Sequence, residues 1–284
     1  MKRILTAAVL AILVLYVVYW APRPIFLAGI LLFMLVALWE YCGLASLFGQ
    51  RLNNVVIYLG GLSVVVAAYF RPSLTPPVMG MAFLALFTLE LIQRQKLTEL
   101  VPAMALGFTG WFYIALPFAF LVMLRDATPF GSRLILFLIF VIAVGDTAAY
   151  YTGRAIGQRK LAPQISPGKT VEGAVASLIF ATAAGYWLLG KWLPLMPRHH
   201  LIMLPLLFNV AGQAGDLAES ALKRGAGRKD SSSLLPGHGG LLDRIDGLLF
   251  GAPVLWYYFV LVLVVWVCID LVVLNNHLIV YSYT

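Results

Sequence analysis

The chain has 284 residues, 62% of them apolar and only 11% charged, with 20 Lys and Arg against 12 Asp and Glu for a net charge of +8. Soluble domains run near ~45–50% apolar and ~25% charged, so the composition excludes an ordinary soluble fold and predicts an all-α, polytopic membrane bundle. Because a helix crossing a ~30 Å hydrocarbon core takes ~20 residues, about nine such helices absorb nearly all the apolar residues and leave no room for a separate soluble domain.

Lys2 and Arg3 precede an apolar run from Ile4 to Trp20. Tyr19, Trp20, Ala21 and Pro22 do not form a small-x-small cleavage site, so this run is expected to stay as the first span. Further runs at 25–49, 55–70, 77–93, 101–124, 130–152, 171–193, 201–221 and 247–274 bring the candidates to nine. Gly60, Gly61 and Pro117 are expected to bend spans without ending them.

With that alternation, fourteen of the 20 Lys and Arg residues fall on the side of the N-terminus, including Arg51, Arg94, Lys96, Arg154 and Lys160. The excess predicts that this side is cytoplasmic, together with the connections near 153–170 and 222–246. The basic residues are spread along connections rather than clustered with aromatics, which argues against a nucleic-acid partner. Seven of the 12 acids lie between Asp146 and Asp246. Residues 1–125 therefore read as a transmembrane scaffold and 126–284 as the catalytic region.

The segment from Gly145 to Gly173 contains Asp146 at the end of a span. Ser166-Pro167 has the grammar of an N-cap followed by proline at the first helical position, which predicts a helix starting there with Lys169 in its first turn. Exposed amides plus a lysine make an anion site. A P-loop reading of Gly168-Lys169-Thr170 fails, because position 163 holds proline where the motif needs glycine, and no apolar strand precedes it.

From Gly215 to Asp246 the chain reads GDLAESALKRGAGRKDSSSLLPGHGGLLDRID. If the preceding helix continues, Asp216, Glu219 and Lys223 share one face. An ionised Asp216 that deep costs at least ~2.5 kcal/mol unless it is paired or faces a wet cavity. Pro236 to Gly240 is a turn whose glycines permit positive dihedrals. Asp243 and Asp246, one turn apart at the start of the last span, suit either helix capping or a hard cation held through oxygens. Lys223, Arg224, Arg228, Lys229 and Arg244 surround these acids, a composition that fits phosphoryl or nucleotidyl transfer.

Other residues carry less. His199, His200, His238 and His277 show no zinc spacing, and only His238 is near the candidate site, where it donates to phosphate or stabilises the turn. Cys42 and Cys268 are far apart in apolar runs and read as packing residues. Glu40, Glu90 and Asp270, in or near apolar runs, mark either a pathway or an interface.

The stretch Ser220-Ala-Leu222-Lys223-Arg224, then Lys229-Asp230, Pro236 to Gly240 and Asp243-Arg244-Ile245-Asp246 resembles the signature of phosphatidate cytidylyltransferases, with no departure from Ser220 to Asp246. Asp146-Thr147-x-Ala149-Tyr150 and Ser166-Pro167-x-Lys169-Thr170-Val171-Glu172-Gly173 are similar to the same family. The resemblance covers roughly 145–250. It implies an integral membrane enzyme of the bacterial inner membrane, its site facing the cytoplasm, that joins CTP to phosphatidic acid and works as a homodimer.

The resemblance also implies Mg2+ held by Asp216 and Asp243 and allows a second, monovalent cation such as K+. Lys223, Arg224, Lys229, Asp230, His238, Arg244 and Asp246 fall to catalysis on this reading. Asp146, Ser166, Lys169, Thr170, Glu172, Gly237, Gly239 and Gly240 fall to substrate binding. The competing readings are a secondary transporter, for which buried acids are natural, and a CTP-dependent lipid-alcohol kinase. A CDP-alcohol phosphotransferase fits less well: Asp243-x-x-Asp246-Gly247 is present, but Leu248 to Gly251 lack its Ala-Arg.

Overall fold

The computed structural model describes residues 12–263 apart from 94–95, 128–129, 195, 236 and 238. Most of the first candidate span and the C-terminal part of the last, with Cys268, Asp270 and His277, lie outside the described residues. So do Lys2, Arg3, Arg94, Pro236 and His238.

Helical residues 12–19 (α1) lead into α2 (Arg23–Ser46), α3 (Asn54–Phe70) and α4 (Thr75–Gln93). Next comes one rod in three parts, α5 (Leu100–Gly110), a π-helical turn (Trp111–Ala115) and α6 (Leu116–Ala127). Then follow α7 (Gly131–Ile156), a hairpin of β1 (Lys160–Ala162) and β2 (Ser166–Thr170), α8 (Val171–Trp192), α9 (Arg198–Gly225) and α10 (Leu242–Tyr258).

Among the described residues seven helical stretches are long and apolar enough to cross a membrane, and Asn54–Phe70 is a shorter apolar helix. The all-α membrane architecture therefore stands. The number nine is not reached, because the first run is described only from residue 12 and α3, at 17 residues, is shorter than a standard span.

Gly60 and Gly61 leave α3 unbroken. They serve close packing instead: a Cβ on Gly60 would stand 2.8 Å from Trp111 Nε1, and one on Gly61 2.8 Å from Leu38. Small residues let helix backbones approach in a membrane, where apolar burial alone gives no preference for one partner over another. Pro117 follows the π-helical turn. Proline has no amide to continue the ladder, and a widened turn accommodates that loss without ending the rod.

Polar ties mark the two ends of the bundle. At one end Arg23 Nε donates to Asp126 at 2.8 Å and an Arg23 amino group to the Tyr69 carbonyl at 2.9 Å. At the other, Asn53 caps α3 and donates to Gln93 at 3.2 Å. The C-terminal helices α7 to α10 pack most extensively against one another, and α10 also leans on α6.

The start of α8 differs from expectation. Ser166 and Pro167 lie in β2, paired antiparallel with β1 so that Lys160 faces Thr170 and Ala162 faces Ser166. The helix begins at Val171, and the capping residue is Thr170, whose hydroxyl accepts from the Gly173 amide at 3.2 Å. Proline is tolerated in such a short, exposed strand. Lys169 therefore projects from a hairpin, not from a first helical turn.

Candidate active site

The expected continuation of α9 holds: the helix runs unbroken to Gly225 and carries Asp216, Glu219 and Lys223. Lys223 Nζ stands 2.5 Å from Glu219 Oε2 and 2.5 Å from Asp243 Oδ1 of α10. Glu219 is fully buried, and the Lys223 and Asp243 side chains keep only 11% and 8% of their surface. Charges so enclosed persist only when paired and hydrogen-bonded.

Asp243 sits in the first turn of α10, where a carboxylate also meets the positive end of the helix. Its Oδ2 accepts from the Gly240 amide at 2.7 Å, the Ser231 amide at 3.1 Å and the Ser231 hydroxyl at 2.9 Å. The turn before it needs glycine in the way the sequence suggested, since Gly237 and Gly239 have φ of 78° and 79°. A side chain on Gly239 would also run into the Asp243 carboxylate.

A second pair lies beside the first. Lys169 Nζ of β2 is 2.6 Å from Asp216 Oδ2, with 26% and 36% of the two side chains exposed. Ile142 of α7 packs against both Gly212 of α9 and Gly247 of α10. One turn beyond Ile142 and Gly212 stand Asp146 and Asp216, and Asp246 precedes Gly247 on the antiparallel helix. Three helices thus present aspartates at one level, where Asp216 and Asp146 both act electrostatically on Asp246.

The hairpin is tied to this arrangement from two sides. Glu172 accepts from the Gln158 and Arg159 amides at 3.1 and 3.2 Å, and Arg224 Nε donates to the Ile165 carbonyl at 3.3 Å. Arg224 also donates to the Arg228 carbonyl at 2.9 Å, closing the turn after α9. Lys229, Asp230 and Arg244 are exposed at the rim. The two polar stretches singled out in the sequence therefore meet.

Carboxylate oxygens are the donors a hard divalent cation takes. Asp216 is partly exposed; its Oδ2 is paired to Lys169, while its Oδ1 keeps only a 3.5 Å contact from the Ser220 hydroxyl and is open to such an ion. Asp243 fits only once the Lys223 ammonium has left it, because both its oxygens carry protein donors. Among the described residues no three His, Cys, Asp or Glu side chains are grouped to hold a metal as they stand.

Two contributors come from the N-terminal helices: Glu40, which the sequence marks only as a pathway or interface acid, and Tyr113, which it does not mark. Glu40 of α2 is 2% exposed and accepts from the Leu241 and Leu242 amides at the start of α10. Its signal was a carboxylate between Trp39 and Tyr41 inside an apolar run. Tyr113, in the π-helical turn, has a buried hydroxyl without a hydrogen-bond partner, within electrostatic reach of Glu219, Asp246, Asp216 and Asp243. No local pattern distinguished it from its neighbours.

Comparison with known proteins follows the same lines. The cytidylyltransferase family matches residues 1–262 of this chain. The "Uncharacterized protein YnbB" of Escherichia coli (strain K12) is 36% identical over 241 residues, covering 84% of this chain and 80% of that protein. A phosphatidate cytidylyltransferase of Bacillus subtilis (strain 168) is 42% identical over 146 residues, 51% of this chain and 54% of the enzyme. One from Haemophilus influenzae is 41% identical over 137 residues, 47% of this chain and 48% of the enzyme. The matched stretch thus spans about half the length of these two enzymes.

Proposed function

The chain belongs to the cytidylyltransferase family, and from that premise we propose that it joins CTP to phosphatidic acid, giving CDP-diacylglycerol and pyrophosphate. The observation that carries this reading is the meeting of two cation–carboxylate pairs, Lys169 with Asp216 and Lys223 with Asp243, at one end of an apolar helix bundle. CTP comes from water and the acyl chains stay in lipid, so their reacting atoms must meet at such an end.

A phosphate oxygen of the lipid attacks the α-phosphorus of CTP in line. The new P–O bond forms as the bond to the bridging oxygen of the β-phosphate breaks, and that oxygen leaves with pyrophosphate. The attacking oxygen is already ionised at neutral pH, so no general base is required. The difficulty is electrostatic, since two polyanions must be held together. Lys169, partly exposed on the hairpin, is disposed to receive them. Arg224 and Lys229 add charge at the rim, and the Lys223 ammonium lies beneath.

Mg2+ belongs to the same proposal: Asp216 and Asp243 would hold it, and it would supply Lewis-acid neutralisation of phosphate charge. The site is proposed to face the cytoplasm of an inner membrane, supported by the excess of Lys and Arg at that end of the spans. A homodimer is part of the reading too, with its mass in detergent as the check.

The test uses the full chain in mixed micelles with phosphatidic acid or a lipid alcohol as acceptor and CTP labelled at its α- or its γ-phosphate. Transfer of the α-label into the lipid phase is the expected result. Transfer of the γ-label to a lipid alcohol would make it a kinase, and no labelled lipid with either acceptor would remove the enzymatic reading. Transport is disfavoured because transporter sites collect at mid-bilayer, whereas these ion pairs sit near helix ends.

A further inference from the structure

We infer that Glu40 is a positioning residue for the proposed transfer reaction: from the N-terminal helices it fixes the loop and helix start that carry Asp243 and, through Asp243, Lys223. The inference rests on the reaction proposed above, but its geometry is independent of it.

Glu40 Oε1 accepts from the Leu241 amide at 2.8 Å and the Ser232 hydroxyl at 2.6 Å. Its Oε2 accepts from the Leu242 amide at 2.6 Å and the Ser231 hydroxyl at 3.1 Å. A carboxylate offers about four acceptor sites, and all are taken. Glu40 therefore has nothing left to offer a substrate or an ion. What it does is gather two backbone amides at the start of α10 and two serines of the loop before it. Negative charge at a helix N-terminus is the favourable sign.

Two of the groups it touches also touch Asp243. Ser231 Oγ is 3.1 Å from Glu40 and 2.9 Å from Asp243 Oδ2. One hydroxyl has one proton, so the two carboxylates share Ser231 as a donor. Gly240 is the other junction: its amide donates to Asp243 at 2.7 Å, and a Cβ there would stand 2.6 and 2.7 Å from the two Glu40 oxygens. The glycine is what lets Glu40 come close enough to hold this corner. The described residues between α9 and α10 contain little regular structure beyond one isolated bridge, Leu235 to Gly239, so the corner depends on such ties.

A residue that only staples the fold would lower thermal stability and leave turnover per folded molecule unchanged. A positioning residue lowers kcat while leaving the affinity for CTP nearly intact, since Glu40 touches no group proposed to receive the nucleotide directly. The experiment compares Glu40→Gln, Glu40→Asp, Ser231→Ala and the Glu40→Gln/Ser231→Ala double variant as full-length protein in mixed micelles, each normalised to its monodisperse folded fraction. Glutamine keeps the shape but turns an amide donor toward donors.

The expected result for Glu40→Gln is a kcat at least about tenfold lower with KM for CTP within about threefold. Glu40→Asp, which keeps the charge on a shorter stem, should fall between it and the unaltered protein. The double variant should lose clearly less than the product of the single losses, because both act through Asp243. A kcat within twofold of the unaltered protein in Glu40→Gln, or losses that simply multiply, would overturn the inference. If Glu40→Gln gives no folded protein, Glu40→Asp carries the test with the same kcat–KM criterion and its own double variant with Ser231→Ala. An unaltered protein that transfers no cytidylyl group would instead remove the reaction, and with it this role.

Discussion

Helices α1 to α6 and helices α7 to α10 solve the same problem, packing in lipid, with different materials. In the first group the fully buried side chains include Trp111, Tyr41, Phe26, Met34, Leu38, Ile57 and Leu86. Their polar atoms go to backbone: Tyr41 donates to the Leu106 carbonyl at 2.6 Å and Trp111 to that of Ile57 at 2.8 Å. In the second group polar side chains share the interior with Phe137, Phe208 and Leu249. Ser177 and Asn209 are buried and bonded at 3.0–3.1 Å, Gln213 donates to Asn209 at 2.7 Å, and Glu219 and Lys223 lie further along α9.

Polar groups inside a membrane protein are costly unless partnered, so their concentration in four helices is itself a functional signal. The contrast also shows that the apolar half is not idle, because Glu40 and Tyr113 reach across to the polar one.

The largest expected effect strikes the polar half. Asp216→Ala or Asp243→Ala should lower turnover by on the order of 10²–10³-fold or more while the protein still inserts and runs as a folded species in detergent. Turnover like that of the unaltered protein in either variant, assayed at saturating Mg2+, would take that aspartate out of the site.

The two lysines sharpen the comparison within that half. Lys223→Ala leaves Glu219 and Asp243 buried without their common cation, a change expected to cost about 3–5 kcal/mol of stability. It should lower the unfolding temperature as well as activity. Lys169→Ala, at a partly exposed pair, should leave thermal stability within about 1 kcal/mol yet raise KM for CTP. Equal thermal losses in the two would contradict the distinction between an interior pair and a substrate-facing one.

The apolar half should respond in the opposite sense. Gly60→Leu drives a side chain into Trp111 and should destabilise by roughly 1–3 kcal/mol, with kcat of the surviving folded molecules unchanged. A selective loss of kcat there would mean that α3 packing sets the site. Arg23→Ala breaks an exposed pair at the far end of the bundle and should cost no more than ~1 kcal/mol, with no change in either kinetic constant.

Much of this organisation was legible in the sequence because it is written locally. Apolar runs marked the spans, the spacing of Asp216, Glu219 and Lys223 put them on one face, and the glycines after Leu235 announced positive dihedrals. What stayed hidden depends on contacts between distant segments. Ser166-Pro167 reads equally well as a helix start or as an edge strand, and only pairing with Lys160 to Ala162 decides. The tie from Glu40 to residues about two hundred positions away has no local pattern at all, nor does the choice of Lys169 as partner for Asp216. The resemblance covers only 145–250, so it assigns no role to Glu40 or Tyr113.

The most direct measurement is a structure of the full chain with CTP and Mn2+ in place of Mg2+, the metal located by its anomalous signal. The account predicts metal density against Asp216 and Asp243, with nucleotide phosphates in contact with Lys169 and Lys223. Metal and phosphates bound together at any other set of side chains would contradict it.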